Sequence, residues 1–211
     1  MVVDALVRVL TRKTKKSRAL AFIDSIESTW KGQELFAMWL VQKIRPQTVV
    51  DLGFHRGLST IAFAFKNSGH VFGIDWFEEG DYTQKSLILD TAFQNISRAI
   101  QSDFIKNIHL IIGPFYDVSR NWNRKIDILH IDLAPTYHAV KCHYDHWSGY
   151  MRKDSVLLIH DINRYPGEVG RFFEELTLPK VFIPHGGGMG VASTDEALIE
   201  EIKTLFVLPK Q

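Results

Sequence analysis

Apolar residues change their spacing several times along the chain, and the changes mark its elements. Residues 1–45 follow helical spacing, and Ala37-Met38-Trp39-Leu40-Val41 is apolar almost all round, so this stretch is expected to pack between other elements. Arg45 and Pro46 close it, because the residue before a proline avoids the helical region. Short apolar runs then alternate with helical patterns. Thr48–Leu52, Val71–Ile74, Ile108–Ile112, Ile126–Ile131 and Ser155–Ile159 are predicted as buried strands. Leu58–Lys66, Gln84–Ile100, Thr136–Tyr150 and Val169–Leu176 are predicted as helices, the first closed by Asn67, Ser68 and Gly69. Two last short strands are placed at Val181–Pro184 and Met189–Ala192. Strands alternating with helices predict βαβ units. The fold class is therefore α/β: a doubly wound, Rossmann-like, mostly parallel sheet with helices on both faces. Ligands of such sheets bind at the carboxyl ends of the strands, beside the topological switch point.

Composition supports one globular domain. The 211 residues are 45% hydrophobic and 23% charged. We divide them into an N-terminal helical segment, 1–45, and a single domain, 46–211. A net charge of +1 gives no electrostatic pull toward nucleic acid or membrane. No apolar run approaches the ~20 residues of a membrane helix. A single cysteine, Cys142, and no signal-like leader predict a cytoplasmic protein. Arg8, Arg12, Lys13, Lys15, Lys16 and Arg18 form one basic cluster, read as a solvated end, with an anion-binding arm as the sharper alternative.

The strand tips carry the candidate chemistry. After the first strand comes Asp51-Leu52-Gly53-Phe54-His55-Arg56-Gly57, with Ser59 two residues on. Gly53 suits a positive-φ turn and Gly57 a close backbone approach. A dinucleotide fingerprint would need glycine at 51 and 56, where Asp51 and Arg56 stand. Asp75, after the second strand, can accept hydrogen bonds from both hydroxyls of a ribose, with Trp76 beside it for an adenine ring. Gly113-Pro114-Phe115 follows the third strand without an acid to read the adenine amine, which leaves backbone groups and Phe115. Asp132 and Asp161 follow the fourth and fifth strands and can face one cleft.

Taken together, Asp51-x-Gly53-x-x-x-Gly57-x-Ser59, Asp75, Ile128-Leu129-His130-Ile131-Asp132 with Tyr137, and Leu158-Ile159-His160-Asp161 resemble the class I S-adenosylmethionine-dependent methyltransferases. The likeness is closest to small-molecule O-methyltransferases with a His-Ile-Asp stretch. Gly167–Leu176 and His185–Val191 resemble the end of that domain. The resemblance implies a seven-stranded sheet with a reversed last hairpin. It implies S-adenosyl-L-methionine bound by Asp51, Gly53, Phe54, Gly57, Ser59, Asp75, Trp76, Phe115 and Asp132. It also implies an active site lined by Asp132 and Asp161, which in some relatives hold Mg2+. Where the family has a histidine after the fourth strand's acid, this chain has Pro135, which cannot act as a base.

Methyl transfer to a hydroxyl needs a base or a metal to take the proton. His160 and Asp161 are the catalytic candidates, with His55 and His185 behind them. His138, Cys142 and His146 share a helical face at metal-like spacing, but the apolar stripe of Val140, Tyr144, Trp147 and Met151 should turn that face to solvent. The expected activity is O-methylation of a small-molecule or sugar hydroxyl. The alternatives are a cofactor-binding module without catalysis, and a nucleic-acid methyltransferase, for which no base-flipping pocket is seen. Met1–Arg45, Phe77–Lys85 and Asn163–Glu168 would build the acceptor pocket. The apolar residues around Trp39 suit a lid or a homo-oligomer interface equally.

Overall fold

A computed structural model of the protein describes residues 15–77, 82–101 and 105–207. The basic cluster at Arg8–Arg18 lies outside the described residues, or has its side chains outside them. Seven strands form one sheet: β1 (Thr48–Leu52), β2 (His70–Asp75), β3 (Ile108–Ile112), β4 (Ile126–Ile131), β5 (Met151–His160), β6 (Lys180–Ile183) and β7 (Met189–Ala192). Their order is β3-β2-β1-β4-β5-β7-β6. β1 to β5 are parallel, and β7 runs antiparallel to both β5 and β6. The chain winds outward from β1 to β3 and then returns to place β4 on the other side of β1. The switch point therefore lies between the tips of β1 and β4.

The β1 run Thr-Val-Val-Asp-Leu is buried at all five positions, as a central strand covered on both faces must be. One face is covered by α1 (Lys15–Ser25), α2 (Glu34–Ile44), α3 (Leu58–Ala64), α4 (Tyr82–Ile100) and α8 (Glu196–Phe206), which share one apolar core with Val49, Ile128, Val156 and Leu158. The other is covered by α5 (Phe115–Arg120), α6 (Tyr137–Trp147) and α7 (Arg171–Glu175), which pack on Val50, Leu129, Leu157 and Ile159. Replacing one of the fully buried core leucines, such as Leu40 or Leu157, with alanine should cost about 2–5 kcal/mol. Among the described residues no helix is long and apolar enough to cross a membrane.

Several elements differ from the sequence expectation. Among the described residues, the N-terminal helical stretch holds two helices, parted by a turn in which Gly32 takes φ 98°. Trp30 in that turn is buried, edge-on to the rings of Phe63 and His130. β5 begins at Met151 rather than Ser155, because Met151 still pairs with Ile126 ahead of an irregularity in the register. The helix expected over Val169–Leu176 is a π-helical turn, Pro166–Gly170, followed by the short α7. α5 and α8 were not expected. The cap that starts α8 is nonetheless visible in the sequence: the Asp195 carboxylate accepts from the Leu198 N–H at 3.0 Å.

Candidate active site

The β1 tip is built from beneath. Asp51 is fully buried, with Oδ1 2.6 Å from Nδ1 of His130 and Oδ2 accepting from the hydroxyls of Ser59 (2.7 Å) and Thr60. His130 Nε2 in turn accepts from the Trp30 indole N–H at 3.2 Å. This chain of bonds satisfies every buried polar atom it contains. It ties β1, β4, α3 and the α1–α2 turn together under the site. Gly53 then turns the chain with φ 88°. A side chain there would meet the Asp132 carbonyl oxygen at 1.9 Å, so only glycine lets β1 and β4 lie this close at their tips.

Above this floor lies a cavity of about 510 Å3. Gly53, Phe54, Ser59, Asp75, Trp76, Phe115, Asp132 and Asp161 are all on its wall. Asp51 and Gly57 are not among the wall residues; Asp51 is bonded to Ser59 at the start of α3. Asp75 is held by two backbone donors, the N–H of His55 at 2.9 Å and that of Phe77 at 2.8 Å. Burial pushes its carboxyl above the ordinary range, against the pull of those two bonds. From the stretches expected to build an acceptor pocket, Ser28–Trp30, Phe77, Lys85, Arg164 and Tyr165 lie on the wall of this cavity. Residues 78–81 of the second stretch lie outside the described residues.

At the β4 and β5 tips, Asp132, His160 and Asp161 gather with their ligand atoms within 4.8 Å of one another. His160 is 2% exposed and is not a wall residue. Its Nε2–H donates to the Gly186 carbonyl at 2.6 Å, and its Nδ1 lies 3.2 Å from Asp132 Oδ1 and 3.3 Å from Asp161 Oδ1. Burial would lower the pKa of this imidazole, but the bond to Asp132 and the charges of both acids raise it above the ordinary value. Burial would likewise raise Asp132, and the His160 bond and charge hold it below the usual range. Asp161 is pushed up, chiefly by burial. Its backbone takes φ 65°, unusual outside glycine, and its Oδ1 makes no hydrogen bond among the described residues. A side chain at Gly187 would come within 2.7 Å of that oxygen, which explains the glycine run at 186–188.

The other candidate histidines divide. His55 is on the cavity wall, whereas His185 is exposed and absent from it. The His138 face of α6 does turn outward: His138 is exposed, and His146 Nδ1 is 2.7 Å from the Cys142 carbonyl oxygen. Tyr137 donates to Glu175 away from the cavity. Several wall residues escaped the sequence reading, among them Ile88, Tyr116, Ala139 and His143. His143 is buried on α6 and faces the cavity with Ala139, four residues before it. Its spacing from Val140 and Trp147, three back and four on, was the available signal.

A family model described as a methyltransferase domain matches residues 50–162, from β1 through the β5 tip. The protein y4gI of Sinorhizobium fredii is 24% identical over 195 residues, which cover 84% of this chain and 20% of that protein. The chain thus spans about one fifth of the length of that relative. Cofactor-bound Rv0187 from MTB is similar in structure, with a TM-score of 0.63 at 20% identity over 92% of this chain and 96% of the other. The O-methyltransferase from Bacillus cereus in complex with SAH gives 0.62 at 18% identity over 92% and 97%. TomG, an O-methyltransferase from Streptomyces achromogenes in complex with SAM, gives 0.60 at 15% identity over 91% and 95%. The strand order, the glycine turn at the switch point and the family match agree: this chain belongs to the methyltransferase-domain family and has the class I S-adenosylmethionine-dependent methyltransferase fold.

Proposed function

We propose that the protein transfers a methyl group from S-adenosylmethionine to a hydroxyl of a small molecule or sugar. The observation that carries this reading is the cavity itself. Its volume of about 510 Å3 falls within the ~300–1,000 Å3 of small-molecule sites, and it joins Asp75 on β2 to Asp132 and Asp161 on β4 and β5. The residues present fit the cofactor. Asp75, already oriented by two backbone N–H groups, has lone pairs left for the ribose hydroxyls. The Gly53–Phe54 backbone would carry the methionine end, with Trp76 and Phe115 beside the base. When bound, the cofactor supplies a methyl carbon on a good sulfonium leaving group. The protein then has to orient the acceptor, exclude water and take one proton.

Asp161 is the base in this reading. Burial makes it a stronger proton acceptor than a surface carboxylate, and the residue is on the cavity wall, with its Oδ1 3.3 Å from His160 Nδ1 and 3.6 Å from Arg164 Nε. His160 becomes a positioning residue. Both of its ring nitrogens already have acceptors, and it holds the two acids side by side. Magnesium does not fit this donor set. It demands oxygen ligands in octahedral geometry. Here two carboxylates share a space whose third donor atom is an imidazole nitrogen that donates to one of them. We therefore read the transfer as metal-independent.

Isothermal titration with S-adenosylhomocysteine, with and without magnesium, tests the reading. Transfer of a labelled methyl from S-adenosylmethionine to a panel of phenols and sugars follows. Micromolar binding indifferent to magnesium, with transfer to one of the panel, is the expected result. Asp161→Asn should then lower turnover by about 10²–10⁴ and leave binding within about threefold. Binding with no transfer to any acceptor would favour the non-catalytic module. A folded protein that fails to bind overturns the proposal.

A further inference from the structure

The turn after β5 places a cation on the cavity wall, across the sheet from Asp75. The backbone N–H groups of Arg164 and Tyr165 both donate to the Asp161 carbonyl at 3.1 Å, and both side chains stand on the wall beside Asp161. The Arg164 side chain is 46% exposed. Its one ion pair among the described residues is to Asp161, with Nε 3.6 Å from Oδ1, and its guanidinium makes no hydrogen bond to any of them. A guanidinium carries five donors in a planar fork, so its donors remain for a ligand. Tyr165 is 41% exposed and gives the same stretch of wall an aromatic ring.

Position separates this cation from the cofactor. Strand order sets β5 two places from β1 and three from β2. At the usual strand spacing its tip lies roughly 10 Å from the Gly53 turn and roughly 14 Å from Asp75. With the methionine end at Gly53 and the ribose at Asp75, Arg164 is left to the acceptor. Lys85, the other lysine or arginine on the described wall, belongs to α4, which follows β2. Charge narrows the partner further. Asp132 and Asp161 gather at the same strand tips, so a phosphate dianion there would be repelled by both acids, whereas one guanidinium matches one negative charge. A carboxylate also fits the fork with two parallel hydrogen bonds. We propose that the acceptor is a hydroxy acid whose carboxylate pairs with Arg164 while its hydroxyl faces Asp161. This rests on the reading that the chain methylates a hydroxyl from S-adenosylmethionine, and it names the class of acceptor.

The test is titration of the protein saturated with S-adenosylhomocysteine. The probes are hydroxybenzoates and uronic acids, each paired with its amide, which keeps the shape without the charge. The wild type should bind at least one acid about tenfold or more tighter than its amide, as a hydrogen bond to a charged group gives. Arg164→Gln should bring acid and amide within about threefold of each other, with S-adenosylhomocysteine affinity and melting temperature near those of the wild type. Arg164→Lys, which keeps the charge and loses the fork, should recover part of the preference. An arginine that only neutralises Asp161 would leave the acid-to-amide ratio unchanged in Arg164→Gln. That result, or a wild type that saturates with S-adenosylhomocysteine and prefers no acid over its amide, overturns the proposal and leaves the cofactor reading intact. A loss of S-adenosylhomocysteine affinity in Arg164→Gln with the ratio unchanged would give the guanidinium to the cofactor's own carboxylate and also overturns it. A folded wild type that does not bind S-adenosylhomocysteine overturns both readings.

Discussion

The two ends of the cavity each place a buried histidine among very different neighbours. At the β5 tip, His160 lies between two carboxylates and a backbone carbonyl. At the β3 end, His143 lies between two aromatic rings with Nδ1 unpartnered. Both are nearly inaccessible, at 2% and 6%. Burial pulls both imidazoles toward the neutral form, but partners reverse the outcome at His160 and nothing opposes it at His143. The contrast teaches that burial alone does not decide the charge of a histidine; the acceptors around it do. It also gives the cavity two characters, an ionic end and a neutral aromatic end.

The floor shared by both ends is the place to disrupt them together. Gly53→Ala puts a Cβ 1.9 Å from the Asp132 carbonyl oxygen at φ 88°, so it should cost more than about 3 kcal/mol and abolish S-adenosylhomocysteine binding. Thermal melts and titration measure this; an alanine variant with unchanged melting and affinity would remove the argument that the two tips are in contact.

Acid should act on the neutral end. Between the unfolded value of 6.5 and the folded value of about 4, the unfolded chain binds a proton that His143 in the native state does not. Stability is therefore expected to fall as pH drops through that window, by about 3 kcal/mol at 1.36 kcal/mol per unit. His143→Phe should flatten this slope in denaturant titrations at a series of pH values. An identical slope in the variant would be the contrary finding.

Asp75→Ala comes next, with about 1.5–3 kcal/mol lost from S-adenosylhomocysteine affinity, the range for a hydrogen bond to a charged group. Unchanged binding in the folded variant would mean that the ribose sits elsewhere.

The ionic end should give the smallest effect and the opposite sign. The stabilising contribution of His160 is complete below 6.5 and is lost as pH rises through its raised folded pKa. Melting temperature should decline gently as pH rises above 6.5 in the wild type and less in His160→Gln. A flat wild-type profile would contradict the ionic assignment.

Much of this molecule was legible along the chain. Five of the strands sit where the period-breaking apolar runs place them, four of them because a central parallel strand must be apolar on both faces; β3, expected to be buried, lies at the sheet edge and is only partly so. The strand-tip residues Gly53, Asp75, Asp132 and Asp161 were readable for the same reason: they follow the runs directly. The helices were harder. α5 has six residues, too few to display a helical period, and α8 lay beyond the last recognised motif although its Asp195 cap was plain. His143 was hidden by a wheel drawn for apolar residues only, on which a buried polar residue has no place.

The sequence by itself determined the alternation of elements, the switch point and the set of acids at the strand tips, since these depend on local period and order. Tertiary structure alone decided what each polar group does. It placed Asp51 beneath the cavity instead of on its wall and closed both nitrogens of His160 with Gly186 and Asp132. It left one nitrogen of His143 buried without a hydrogen-bond partner among the described residues. The partners of these groups are up to 100 residues away, as for Trp30 and His130, and their acid–base character follows from burial and neighbours that only folding brings together.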